Sequence, residues 1–140
     1  MTRDAAIISP EHPDAVSYRR AADAFRAGDL DTVATTLHED VIWHLPGRSW
    51  MARDIEGRAA LLAYLREIVS RTNGTFGLQD VYVSGCDDHV VTFQRFGATV
   101  DNEEQRFDVS SVMRFRDGRQ KERWFHIHDL TAFDHFMARF

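Results

Sequence analysis

The segment QRFDVSSVMRFR, residues 105–116, decides the fold class. Phe107, Val109, Ser111, Met113 and Phe115 alternate along it with Asp108, Ser110, Val112, Arg114 and Arg116. Successive side chains of a strand leave opposite faces of the sheet, so this spacing predicts a strand with one core or pocket face and one wet or interface face. Segments 75–84, 90–100 and 119–128 around it are also rich in β-branched and aromatic residues, and the turn signals GCDD, DNEE and RDG separate them. Consecutive strands joined by short turns make an antiparallel meander.

Before Gly74 the apolar period changes to that of helices. Val16, Ala21, Ala22 and Phe25 share a helical face over residues 14–27, which Gly28 ends. Asp29 caps a shorter helix carrying Leu30, Val33 and Leu37, which runs to about His38, and VIWHL follows as a short strand. Gly57 opens a third helix over 58–71, with Leu61, Leu62, Leu65, Ile68 and Val69 on its buried face and Thr72-Asn73-Gly74 at its end. LTAFDHFMARF predicts a short C-terminal helix capped by Asp129 or Thr131. Residues 1–13, interrupted by the prolines of SPEHPD, are expected to form a flexible lead to a single domain over 14–140. The result is an α+β domain with helices on one side of a curved sheet.

Composition narrows the function classes. A chain of 140 residues can bury one sizeable core, and 10 Phe, 3 Trp and 3 Tyr are enough to line a cavity as well. The net charge of −5 and the scattering of 17 Lys and Arg argue against nucleic acid as a partner. The single cysteine, Cys86, excludes an internal disulfide framework and a multi-thiolate metal site, and fits a reducing cytoplasm. The N-terminus has no apolar signal region, and the longest apolar run, AALLAYL at 59–65, is too short for a bilayer, so a cytoplasmic protein without a membrane partner is expected.

The order of elements, together with RAGDLDTV, EDVIWHLPG, the glycine of IEG, GTFGLQDVYVSGCDDHVV and FRDGRQKERWFHIHDLTAFDHF, resembles the nuclear transport factor 2-like superfamily in its SnoaL-like branch, from Tyr18 to the C-terminus. The resemblance implies a cone-shaped α+β barrel, with a curved, mostly antiparallel sheet packed against three N-terminal helices and a short C-terminal helix. It also implies a deep apolar pocket and frequently a homodimer. This fold hosts ketosteroid isomerase, SnoaL-type polyketide cyclases, limonene epoxide hydrolase, scytalone dehydratase and non-catalytic modules, so it does not by itself name an activity. Aligned on Gly47, the isomerase's catalytic carboxylate falls on His44, its oxyanion tyrosine on Ala21 with Tyr18 one turn earlier, and its second aspartate on Ser111. That catalytic set is therefore absent, and the constellation of limonene epoxide hydrolase is not recognisable either.

Two histidine-bearing stretches carry the remaining signal. His44 either lies in the strand tied to a neighbour, or facing outward while Trp43 faces in, or it faces the pocket, where desolvation would lower its pKa and suit it to be a general base. In WFHIHD, Trp124, His126 and His128 share a face and Asp129 follows, while Lys121 and Arg123 on the opposite face suggest solvent there. A one-residue bulge would invert that assignment. The expected catalytic set is His44, His126, His128 and Asp129; the alternative for the last two is a pair that ends the strand and caps the helix. The expected substrate contacts are Tyr18, Trp43, Trp50, Arg95, Ser111, Met113 and Trp124. Of the neighbours Gln94 and Arg95 one must face inward, and Trp50 with Met51 forms a flap or an anchor. Two histidines at i, i+2 could hold a metal, but no acidic ligand is clearly placed with them, so neither metal nor cofactor is expected. These residues point to a cofactor-free acid/base enzyme, acting by isomerisation, cyclisation, dehydration or epoxide opening on a hydrophobic carbonyl- or epoxide-bearing small molecule. The rival is a non-catalytic binding or dimerisation module. Polar groups converging inside the cavity would favour the enzyme, and histidines tied to backbone around an apolar cavity the module.

Overall fold

The computed structural model describes residues 9–140. Pro13 opens the first helix, α1 (Pro13–Arg26), where a missing N–H costs nothing, and the His12 ring accepts from Asp14 N at 3.1 Å. Asp29 caps α2 (Leu30–Thr35) by accepting from Thr32 N at 3.0 Å. The chain then runs through β1 (Leu37–His44), β2 (Asp54–Glu56), α3 (Arg58–Arg71), β3 (Gly77–Cys86), β4 (His89–Val100), β5 (Glu103–Arg116), β6 (Arg119–Ile127) and α4 (Leu130–Met137). No helix among the described residues is long and apolar enough to cross a membrane.

Six strands form one curved sheet in the order β2-β1-β6-β5-β4-β3, antiparallel throughout except for the parallel pair β1 and β6. Among the described residues the sheet is not closed: β2 and β3 are its end strands, with only Ser9 bridging to Gly85 on the β3 side. Its inner face packs against the helices in one large cluster, to which Ala24, Val33, Ile68 and Phe136 come from the helices and Val41, Phe96, Val109 and Phe125 from the strands. A smaller cluster of Ala15, Tyr18, Val83, Val90, Met113 and Phe115 fills the other end. As the alternation predicts, Phe107, Val109, Ser111, Met113 and Phe115 are buried, and Asp108, Val112, Arg114 and Arg116 are exposed.

Several expectations need correction. The second helix stops at Thr35, because Leu37 is already a buried strand residue. Strand β2 is too short for its alternation to be read from sequence. Val16 and Val69, expected on buried helix faces, are exposed, since the neighbouring Ala15 and Ile68 take the inward positions. Of the expected flexible lead, residues 1–8 lie outside the described residues, whereas Ser9 exchanges backbone hydrogen bonds with Gly85 at 2.8 and 2.9 Å and residue 13 already belongs to α1.

The largest correction concerns β6. Arg114 pairs with Glu122 but Phe115 with Gln120, so Lys121 is one residue more than β5 can match. Such a bulge reverses the faces beyond it. Gln120 is buried before the bulge; after it Arg123, Phe125 and Ile127 are buried, and Trp124, His126 and His128 stand on the outer face. A second bulge at Val81 separates the Asp80–Gln94 pair from the Tyr82–Phe93 pair in β3 and β4.

The loop between β1 and β2 is pinned to α4. The Asp134 carboxylate accepts from Arg48 N at 2.9 Å and Ser49 N at 3.2 Å, and Trp50 Nε1 donates to Met137 O at 2.8 Å. Gly47, with φ +111°, lies so close to that carboxylate that a Cβ would overlap it. Gly47→Ala is therefore expected to lower stability by roughly 2–3 kcal/mol, through backbone strain plus the clash. Gly28→Ala, where φ is +76° and the space open, should cost only about 1 kcal/mol. Denaturant titration of the two variants checks the difference, and equal losses would count against the Asp134 clamp.

Candidate functional site

Between the helices and the inner face lies a cavity of about 70 Å³. At roughly 10–15 Å³ per water it has room for several waters or a small organic group. Its wall is largely apolar and aromatic, with Phe25, Leu65, Ile68, Phe76, Phe96 and Phe125 among the lining residues. The polar lining includes Tyr18, Gln94, Gln120 and Arg123, which come from α1, β4 and β6.

Arg123 is the centre of that polar end. It is only 5% exposed, and its guanidinium donates to Ser111 Oγ at 3.1 Å, Gln94 Oε1 at 2.8 Å and Tyr18 Oη at 3.5 Å. The cation also lies over the rings of Tyr18, Trp43 and Phe125, at 5.1, 4.9 and 4.3 Å from their centroids. Tyr18 Oη in turn donates to Asp80 Oδ1 at 3.1 Å and accepts from Gln94 Nε2. Burial pushes the Tyr18 phenol up to about 12, although Arg123 opposes the shift, so the hydroxyl keeps its proton at neutral pH. Asp80 accepts from Gln94 Nε2 at 2.8 Å and pairs at 3.4 Å with Arg26. Each bulge lies next to this network, Val81 beside Asp80 and Lys121 two residues before Arg123.

Two donor groups at the polar end are left over. Arg123 Nη1 and Gln120 Nε2 donate to no acceptor among the described residues, since Gln120 uses its Oε1 to accept from Trp43 Nε1. Ser84 Oγ is the only side-chain N or O among the described residues that is both sealed off and without a partner, so neither leftover group is walled in. Both residues line the cavity.

The histidines lie elsewhere. His44 is on the outer face, stacked on Trp124 at 5.8 Å, with Nδ1 2.9 Å from Asp54 Oδ1 and Nε2 2.6 Å from Glu122 Oε2. Two carboxylates can both be served only if both ring nitrogens carry protons, so the geometry favours the imidazolium. The hydrogen bond to Glu122, followed by that to Asp54, raises the His44 pKa against the opposing effect of desolvation. The lowered pKa and pocket position expected of a base are thus replaced by their opposites. His126 and His128 are exposed neighbours with ring centroids 5.3 Å apart, and His128 Nε2 meets Ser110 Oγ at 2.7 Å. Asp129 orients neither of them; it caps α4 by accepting from Ala132 N at 3.2 Å.

Among the expected substrate contacts, Tyr18 and Trp43 line the cavity. Ser111 is buried behind Arg123 and holds it. Met113 belongs to the smaller core cluster, Trp124 to the outer face, and Trp50 to the loop anchor beneath Arg71, which lies 4.4 Å from its ring. Gln94, and not Arg95, faces inward: Arg95 is exposed and pairs with Asp108 at 3.2 Å. Sequence reasoning missed Arg123, Gln120 and Asp80. Their signal, polar residues spaced along two strands, becomes readable only once the bulges are known. No group of three or more metal-ligating side chains occurs among the described residues.

The family model described as SnoaL-like domain matches residues 18–123. Bal32a, from a soil-derived mobile gene cassette, is 31% identical with a TM-score of 0.83, over 89% of this chain and 96% of that one. A Xanthomonas campestris protein of unknown function with a cystatin-like fold is 24% identical with a TM-score of 0.81, over 90% and 98%. An epoxide hydrolase from M. tuberculosis, described as LEH-like, shares the fold at 20% identity and a TM-score of 0.69, over 91% and 89%. No curated protein matches the chain.

The His44 ion pairs generate a pH prediction. With the folded pKa above the ordinary 6.5, the stabilisation they give is fully present below that value and is lost as pH rises through the folded pKa. The melting-temperature difference between the native chain and His44→Gln should therefore be largest near pH 6 and shrink by about pH 9. A difference that stays constant over this range would contradict the double ion pair.

Proposed function

The chain belongs to the SnoaL-like domain family, and on that premise we propose that its cavity takes a hydrophobic small molecule bearing a carbonyl, enol or epoxide oxygen and moves a proton on it without a cofactor. The observation that carries this reading is the pair of uncommitted donors, Arg123 Nη1 and Gln120 Nε2, at the polar end of an otherwise apolar cavity. A substrate oxygen placed there receives N–H groups that are already oriented, and negative charge developing on it is stabilised by them within a largely apolar wall. Tyr18 and Asp80 supply the proton path. As the α C–H bond breaks, its proton passes to Tyr18 Oη while the phenolic proton passes to Asp80 Oδ1, and the electron pair moves onto the oxygen held by Arg123. Reversal of the path at a different carbon completes an isomerisation. Ser111 and Gln94 act through Arg123 as positioning residues.

The histidines have no part in this scheme, and their absence from the cavity favours the second reading, a binding module without turnover. Deuterium incorporation at the α-carbons of 2-tetralone, followed by NMR in D2O, separates the two. The enzyme reading predicts accelerated exchange, lowered about 10²- to 10⁴-fold in Tyr18→Phe and unchanged in His126→Ala. Saturable binding of the ketone without accelerated exchange would leave only the module.

A second copy of the chain is the proposed partner. Val91, Val112 and Trp124 pair successively across β4, β5 and β6 and are all exposed on the outer face, forming an apolar stripe whose burial would favour a symmetric dimer. Sedimentation should give a dimer at micromolar concentration and a monomer for Trp124→Glu. A monomeric native chain would overturn this.

A further inference from the structure

Among the described residues no carboxylate lies within ion-pairing distance of the buried cation Arg123. Its hydrogen-bond acceptors are a serine, a glutamine and a tyrosine, and its remaining contacts are the faces of three aromatic rings, all neutral. Asp80 is the acidic group whose field reaches it, but Asp80 stands behind Tyr18 and Gln94 and is already paired with Arg26. Arg26 also pairs with Asp23 at 2.7 Å, yet neither carboxylate contacts Arg123, whose guanidinium meets only neutral groups where it lines the cavity. Removing a cation from water is costly unless a charge of opposite sign accompanies it, and ring faces offset only part of that cost. The arrangement is also incomplete in its hydrogen bonding, because Arg123 Nη1 and Gln120 Nε2, on two residues that line the cavity, have no acceptor among the described residues.

We propose that the missing counter-charge is the ligand's: the cavity is built for a hydrophobic anion, an aryl or alkyl carboxylate or a preformed enolate, whose oxygens engage Arg123 Nη1 and Gln120 Nε2 while its apolar body lies against Phe96, Phe125 and Ile68. This rests on the cavity being the ligand site and adds the charge of the ligand to that reading. A neutral carbonyl fills the same space and accepts the same hydrogen bonds, yet leaves the buried charge uncompensated. A free inorganic anion neutralises the guanidinium but gains nothing from the aromatic wall. The fit is to a molecule that does both.

Phenylacetate and phenylacetamide have nearly the same shape and differ in charge, so calorimetric titration of the full chain with each at neutral pH tests the proposal directly. Phenylacetate should bind at least about tenfold more tightly, the gain expected of a charge-assisted hydrogen bond over a neutral one. Arg123→Met should abolish that ratio, and Arg106→Met, at an exposed arginine outside the cavity, should leave it unchanged. Should Arg123→Met fail to fold, the ratio in the native chain remains decisive, together with displacement of phenylacetate by 3-phenylpropionate but not by chloride. Equal affinities, or a tighter amide, would overturn the anion preference while leaving the cavity a site for neutral oxygen compounds. Chloride binding as tightly as phenylacetate would overturn the hydrophobic half of the proposal. Failure of both probes at millimolar concentration would remove the cavity reading as well.

Discussion

The buried cation at the centre of the interior follows from one unmatched residue in a strand. Without the Lys121 bulge, β6 would continue the register set at Gln120, turning Glu122, Trp124 and His126 toward the helices and Arg123 toward water. The bulge reverses this and sets the guanidinium against Tyr18, Trp43 and Phe125. The bulge at Val81 works in the same direction on the other side of the cavity. It leaves both Asp80 and Val83 facing inward although they are three residues apart, so one strand supplies a carboxylate to the polar network and an apolar group to the core. Bulges re-aim side chains in this way at functional sites more often than elsewhere in sheets.

The polar interior is costly, and its contacts show how the fold tolerates it. Desolvation holds the Arg123 pKa below its ordinary value, though an arginine so far from neutral pH keeps its charge. Cation–π contacts in a desolvated setting are worth ~2 kcal/mol or more, and hydrogen bonds to a charged group about 1.5–3 kcal/mol each. These are of the size needed to offset the several kcal/mol that burial of an ion costs, provided that the acceptors are themselves fixed. Here they are: Ser111 shares a 2.6 Å hydrogen bond with Thr92, and Gln94 is held by Tyr18 and Asp80. The network is closely connected on the protein side, and its two leftover donors, Arg123 Nη1 and Gln120 Nε2, belong to residues that line the cavity.

Much of the fold was legible because it depends on local periodicity. Strand β5 could be read residue by residue, since each inward position but Ser111 is apolar and no bulge interrupts its pairing with β4. Helix limits at Gly28 and Gly57 followed from backbone conformations that glycine adopts most easily. The site was far less legible. His44 attracted attention as a histidine in an apolar strand, but the carboxylates that hold it on the outer face come from residues 54 and 122, which nothing local connects to it. Lys121 and Arg123 read as a solvated face because both are cations, and the bulge that lets Arg123 turn inward has no reliable signature in composition. Arg95 and Gln94 were a matched alternative that only the register of β4 could decide, in favour of the glutamine.

The proposed chemistry depends on where a ligand's oxygen goes. A crystal structure of the chain in complex with phenylacetate measures this directly. A carboxylate oxygen is expected about 2.7–2.9 Å from Arg123 Nη1, with the ring against Phe96 and Phe125 and no ordered ligand at the outer histidines. A phenylacetate bound beside His44, His126 or His128, or one lying in the cavity with its carboxylate turned away from Arg123, would contradict that chemistry.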